Sequence, residues 1–126
     1  MASKSEIAQQ FNEILSNFLV QISPIVGVTY SIVYDGIVKL LPQLPIQQFS
    51  IYMLYYKDKI LNRDEELFEL NPKVKEITTN NSSTNVFLGE LFRLHNIYNK
   101  LDKDSKNNVW DIFQALLILS QDYEKN

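Results

Sequence analysis

Ile7, Phe11, Ile14, Leu15, Phe18, Leu19 and Ile22 recur at steps of three and four residues. That spacing commits the start of the chain to an amphipathic helix, because only a 3.6-residue turn gathers those side chains on one stripe. Gln10, Glu13, Asn17 and Gln21 occupy the opposite face. Ser3 and Glu6 stand three apart ahead of the stripe, the spacing at which each side chain satisfies an orphan backbone N–H of the other. A helix is therefore expected from Ser3 through Ile22. Its stripe needs other helices to bury against.

The rest of the chain supplies them. Ser23-Pro24 reads as an N-cap followed by a proline in the first turn. Ile25 to Leu41 leans toward strand by its Val, Ile, Thr and Tyr content but is too long for one strand. Ile25, Val28, Ile32, Val33, Ile37 and Leu40 keep helical steps, so a buried helix is expected there. Pro42 and Pro45 mark a connector, and Ile46 to Leu61 resumes helical spacing through Phe49, Tyr52, Met53, Tyr56 and Ile60. A short helix is expected from Glu65 to Leu70, with acidic residues in its first turn complementing the helix dipole. Positions 71–84 are rich in Asn, Ser, Thr and Lys and read as a mobile loop within one domain. Asn85 to Lys100 and Lys106 to Tyr123 form the last two helices, the latter capped by Asp104 or Ser105. The short turn between them implies an antiparallel pair. The fold class that follows is all-α, a single domain spanning 1–126, built of five or six helices and ending in an antiparallel hairpin.

Composition removes several kinds of chemistry. With no Cys, disulfides, zinc ribbons and thiol nucleophiles are out, and His95 is the sole histidine. Twelve basic residues against fifteen acidic ones give a net charge of −3, which argues against a general nucleic-acid binder. Three glycines leave no material for a phosphate-cradling loop, and neither G-x-S-x-G nor H-E-x-x-H occurs. Pro24 to Leu41 is the most apolar stretch, but Asp35 and Lys39 interrupt it, so no membrane span is expected. Met1 to Glu6 carries no apolar run behind a basic start. The glycosylation patterns at Asn80 and Asn81 then read as chance in an Asn-rich stretch, and an intracellular location is expected.

Few residues qualify as site candidates. Asp102-x-Asp104-x-Lys106 opens like a calcium loop, but Asn107 replaces the required Gly and Phe113 the bidentate Glu, so helix capping explains it better. Asp64, Glu65, Glu66 and Glu69 form the densest carboxylate cluster, and with His95 they are the residues an enzyme would have to use. Lys57, Lys59 and Arg63 beside them suit surface pairing instead. Tyr52, Tyr55 and Tyr56 near those lysines have the makings of a base-stacking run. Helical geometry puts Tyr52 and Tyr56 on the core face with Phe49 and Ile60, leaving Tyr55 for a contact surface. Trp110 anchors the last helix to the core or sits in a partner interface. No catalytic, cofactor-binding or metal site is expected, no small-molecule substrate is evident, and Tyr55 and Trp110 are the candidate interface residues.

Twelve Asn, thirteen Ile and ten Lys against two Arg indicate a source rich in A/T codons. Three pieces of the chain, in this order, resemble a small all-helical protein type encoded by nucleocytoplasmic large DNA viruses. They are the opening helix with Phe11-Asn12 and Leu15-x-x-Phe18-Leu19, the segment Tyr55 to Phe68, and the closing segment Leu101 to Leu116 with Trp110-x-x-Phe113. They are distributed from the first helix to the last. The resemblance implies an all-helical fold and a viral source, and it brings no catalytic residues, because no role is assigned to that type. The expected function is a non-enzymatic structural or protein-interaction role in such a virus, as a minor virion or capsid component working by self-association or on a protein partner. The alternative is a nucleic-acid-associated accessory factor in viral transcription or genome packaging. It would need the lysines near Tyr55 to Arg63, or Lys73, Lys75 and the lysines of 100–106, to converge on one face.

Overall fold

The computed structural model describes residues 2–69, 83–94 and 97–126, apart from the side chain of Glu69. Five helices of ten or more residues carry the fold: α1 (Lys4–Val26), α2 (Thr29–Leu40), α3 (Leu44–Met53), α5 (Ser83–Arg93) and α6 (Lys103–Lys125), with a short α4 (Lys57–Leu61) between α3 and α5. Single 3-10 turns occupy Leu54–Tyr56, Glu65–Glu69 and Tyr98–Lys100. No strand occurs among the described residues. The all-α bundle is as the spacing predicts.

The core is organised around Phe49 of α3. Its ring meets Phe11 of α1 at 5.4 Å, Phe92 of α5 at 5.3 Å and Phe113 of α6 at 5.8 Å, each edge to face. Edge-on contacts place the positive rim of one ring against the negative face of another, worth about 0.5–1.5 kcal/mol each beyond area burial. α6 lies chiefly against α1, and α5 leans chiefly on α3. The last two helices are thus consecutive in sequence but take their main partners elsewhere.

Several boundaries differ from the sequence expectation. α1 does not stop at Ser23 but runs through Pro24 to Val26. Proline lacks the N–H that would bond the carbonyl of Val20, and the Ser23 hydroxyl donates to that oxygen instead, at 2.7 Å. Ser23 is therefore a repair inside a helix and not a cap. The helix ends at Gly27, whose φ of 91° suits glycine. α6 starts earlier than expected, capped by Asp102, which accepts from the Ser105 N–H at 2.7 Å. The expected helix 46–61 is split, α3 giving way to a 3-10 turn before α4. The helix expected to Lys100 stops at Arg93, where Leu94 takes a φ of 49° without a Gly or Pro to announce it. Of the break at 71–84, positions up to 82 lie outside the described residues, while Ser83 and Thr84 already belong to α5.

The larger correction concerns α2. A buried helix was expected, yet only Ser31 and Tyr34 of α2 are buried. Val28, Ile32 and Leu40 are 59%, 65% and 82% exposed, so the apolar row that suggested burial faces outward.

Candidate interaction surface

α2 carries apolar residues on both its inner and outer sides, with Ser31, Asp35 and Lys39 along one flank, so spacing alone leaves open which apolar side is buried. A polar clamp decides which side goes in. The Tyr34 hydroxyl, fully buried, donates to the carboxamide oxygen of Asn12 on α1 at 2.9 Å. The Asn12 amide then donates to the carbonyl of Pro42, just beyond α2, at 2.8 Å. The Tyr34 and Asn12 side chains are both out of water, where an unpaired hydroxyl or amide is costly, so the arrangement holds α2 and its exit against α1. Burial, and then the charge of Asp35, push the Tyr34 phenol well above its ordinary pKa and keep it a neutral donor. On the flank, the Ser16 hydroxyl donates to Asp35 at 2.7 Å, and Tyr30 packs near Phe87 of α5 with ring centroids 6.3 Å apart.

With Tyr34 turned in, the opposite side of α2 turns out. Ile25, Val28, Ile32, Val33, Leu40 and Leu41 are all exposed there or on its approaches. Scattered exposed aliphatics are normal, but a run along one helix face is the kind of patch that marks an interaction site. Lys39 is the one cation between Val20 and Leu41.

An open groove of about 530 Å³ lies beside the clamp, between α1 and the α2 flank, with Glu13, Ser16, Asp35 and Lys39 among its lining residues. Its carboxylates are already engaged, Asp35 by Ser16 and Glu13 by the Gln9 amide at 3.3 Å.

The residues singled out in the sequence fall apart spatially. Tyr55 is 85% exposed, with its ring edge-on to Tyr56. Trp110 is buried and belongs to the core, which corrects its reading as an interface residue: its indole N–H donates to the Tyr98 hydroxyl at 3.2 Å. Tyr98 in turn donates to Glu65 at 2.9 Å, and Phe68 lies against both rings. Burial and the Glu65 bond raise the Tyr98 pKa, while the indole donor works the other way. The carboxylate cluster does structural work. Asp64 accepts from the Glu66 N–H and pairs with Lys59, which also meets Glu66 at 3.5 Å. The Glu69 side chain and His95 lie outside the described residues, as do Lys73 and Lys75. Among the described residues no three His, Cys, Asp or Glu gather as metal ligands. No described helix is long and apolar enough to cross a membrane. The cations a nucleic-acid face would use are partly committed, since Arg63 pairs with Asp111 and Lys106 sits over the Tyr98 ring at 5.1 Å.

The α2 face was missed in the sequence because its residues have the spacing of a core stripe. The signal that distinguishes them is Tyr34 with Asn12, two polar groups able to satisfy each other on the inner side. Comparison with protein-family models, with curated proteins and with solved structures finds no match to this chain.

Proposed function

We propose that this chain is a non-enzymatic structural or protein-interaction protein whose docking surface is the outer face of α2. The observation that supports it is the inversion of α2: a polar clamp inside, and Val28, Ile32 and Leu40 in water. Leaving such a row uncovered forgoes roughly 25 cal/mol for each Å² that a partner would remove from water. What supports a viral setting for this role, as a minor virion component, is the resemblance of three segments to the small helical type of large DNA viruses. A nucleic-acid role is the weaker reading, because Lys59, Arg63 and Lys106 already serve contacts within the chain.

A photo-crosslinking phenylalanine analogue at position 32 of the full chain tests the surface in its native host cell. The expected result is a discrete covalent adduct from position 32 and none from an exposed control at position 57. Absence of any adduct from position 32, with the protein folded and expressed, overturns the proposal.

A further inference from the structure

From the pattern of the α2 face we infer that its occupant is a second copy of this chain, packed antiparallel across α2. This rests on the proposed interaction role and names its partner. Val28, Ile32, Gly36 and Leu40 follow at four-residue steps and form one ridge of the helix surface. The ridge is interrupted at Gly36, where an added Cβ would meet no heavy atom within 4 Å. The midpoint of the row lies between Ile32 and Gly36. Two rows brought together antiparallel about that midpoint set Ile32 of each copy opposite Gly36 of the other, and Val28 opposite Leu40. Each copy offers the projection that fills the other's gap, which is what a twofold contact requires. Ridges of this type pack at about −50° between helix axes.

Charge and area agree with that occupant. The row carries no charge, Asp35 is held by Ser16 on α1, and Lys39 falls opposite Thr29 of the other copy, so no like charges meet. A lipid surface is disfavoured, since it draws on basic residues along the polar flank and only Lys39 is there. Ile25, Val28, Ile32, Val33, Leu40 and Leu41 range from 37% to 82% exposed. At on the order of 100 Å² apiece they offer ~600 Å² per copy and ~1,200 Å² per pair, which reaches the lower edge of specific interfaces. Such a dimer forms reversibly and empties on dilution.

The absence of native Cys makes the register directly testable. Full-length Ile32→Cys and Gly36→Cys proteins are mixed under mild oxidation, and the unlabelled wild type is followed by light scattering from about 1 to about 300 μM. The expected outcome is a mass that rises with concentration from 14.7 kDa toward twice that value, and a mixed 32–36 disulfide that forms faster than either self-link. Gly36→Ala, which meets open space in the monomer, is expected to weaken dimerisation about tenfold while remaining folded. A mass of 14.7 kDa throughout, or self-linking of Ile32→Cys as fast as the mixed link, overturns the inference. In the first case a crosslinked adduct from position 32 to a different protein leaves the docking surface standing, whereas no adduct overturns both.

Discussion

The hydroxyl of Tyr34 donates to the carboxamide oxygen of Asn12, 2.9 Å away and out of water, and this bond sets which side of α2 faces the core. α2 has enough apolar residues to bury on more than one side. Turning Ile32 inward instead would carry Tyr34 to the surface and strand Asn12 beneath it, a buried amide without its donor.

Tyr34→Phe therefore destabilises the fold by about 1–3 kcal/mol, because the Asn12 oxygen stays buried and loses its donor. Asn12→Ala gives a loss of similar size. The double variant costs less than the sum, since both changes break one network. Urea melts of the four proteins check this.

The same pair predicts alkaline sensitivity. Burial first, and the Asp35 charge second, raise the folded pKa of Tyr34 above its ordinary value of 10.0. The unfolded phenol ionises at the ordinary value, so this contribution is complete below about pH 10 and is lost as pH rises further. Stability against pH from 8 to 11.5 shows the decline in the wild type and a shallower one in Tyr34→Phe.

At the acid end, the bonds from the Ser105 backbone and side chain hold Asp102 below its usual 3.8, against a smaller opposing effect of burial. A lowered pKa means that stability is present above the unfolded value and is lost as pH falls through the folded one. Asp102→Asn keeps a capping oxygen and is expected to flatten the stability profile below about pH 4, where the wild type falls. Thermal melts between pH 2 and 6 read the difference.

Trp110, the sole tryptophan, reports on the core. Its indole is buried beside Phe68 and Tyr98, with centroids 5.0 Å and 6.1 Å away. Blue-shifted emission that resists acrylamide is expected, together with a loss of about 3–5 kcal/mol for Trp110→Ala.

The two helical glycines respond in opposite directions. A Cβ at Gly89 of α5 would come within 3.1 Å of the Tyr52 ring on α3, so Gly89→Ala requires that ring to give by a few tenths of an ångström. Overpacking of that kind costs about 1–3 kcal/mol, set against a gain in helix propensity of up to about 1 kcal/mol. Gly36→Ala meets open space and is expected to stabilise the monomer by about 0.5–1 kcal/mol. Denaturation at low micromolar concentration separates them.

What could be read from the sequence was whatever short-range physics decides alone. The capping box of Ser3 and Glu6 is present as spaced, and the stripe from Ile7 to Ile22 is buried at Ile7, Phe11, Leu15, Phe18, Leu19 and Ile22. The outward turn of Tyr55 between Tyr52 and Tyr56 followed from helical angle. Where two apolar faces competed, as on α2, periodicity had no means of choosing, because the choice lay with Asn12 twenty-two residues away. Pro24 misled for a related reason: a proline usually opens a helix, but Ser23 takes over the carbonyl it orphans and the helix continues. Trp110 was legible as core or interface by type, and its partner Tyr98 settled it for the core.

Ile32→Glu tests the outward face of α2 most directly, by urea denaturation at about 1 μM and light scattering at about 300 μM. An exposed residue tolerates a charge, so a change in stability within about 0.5 kcal/mol is expected, together with loss of association at high concentration. A loss of several kcal/mol in the dilute protein would show instead that Ile32 is buried in the monomer and that α2 presents no outward apolar face.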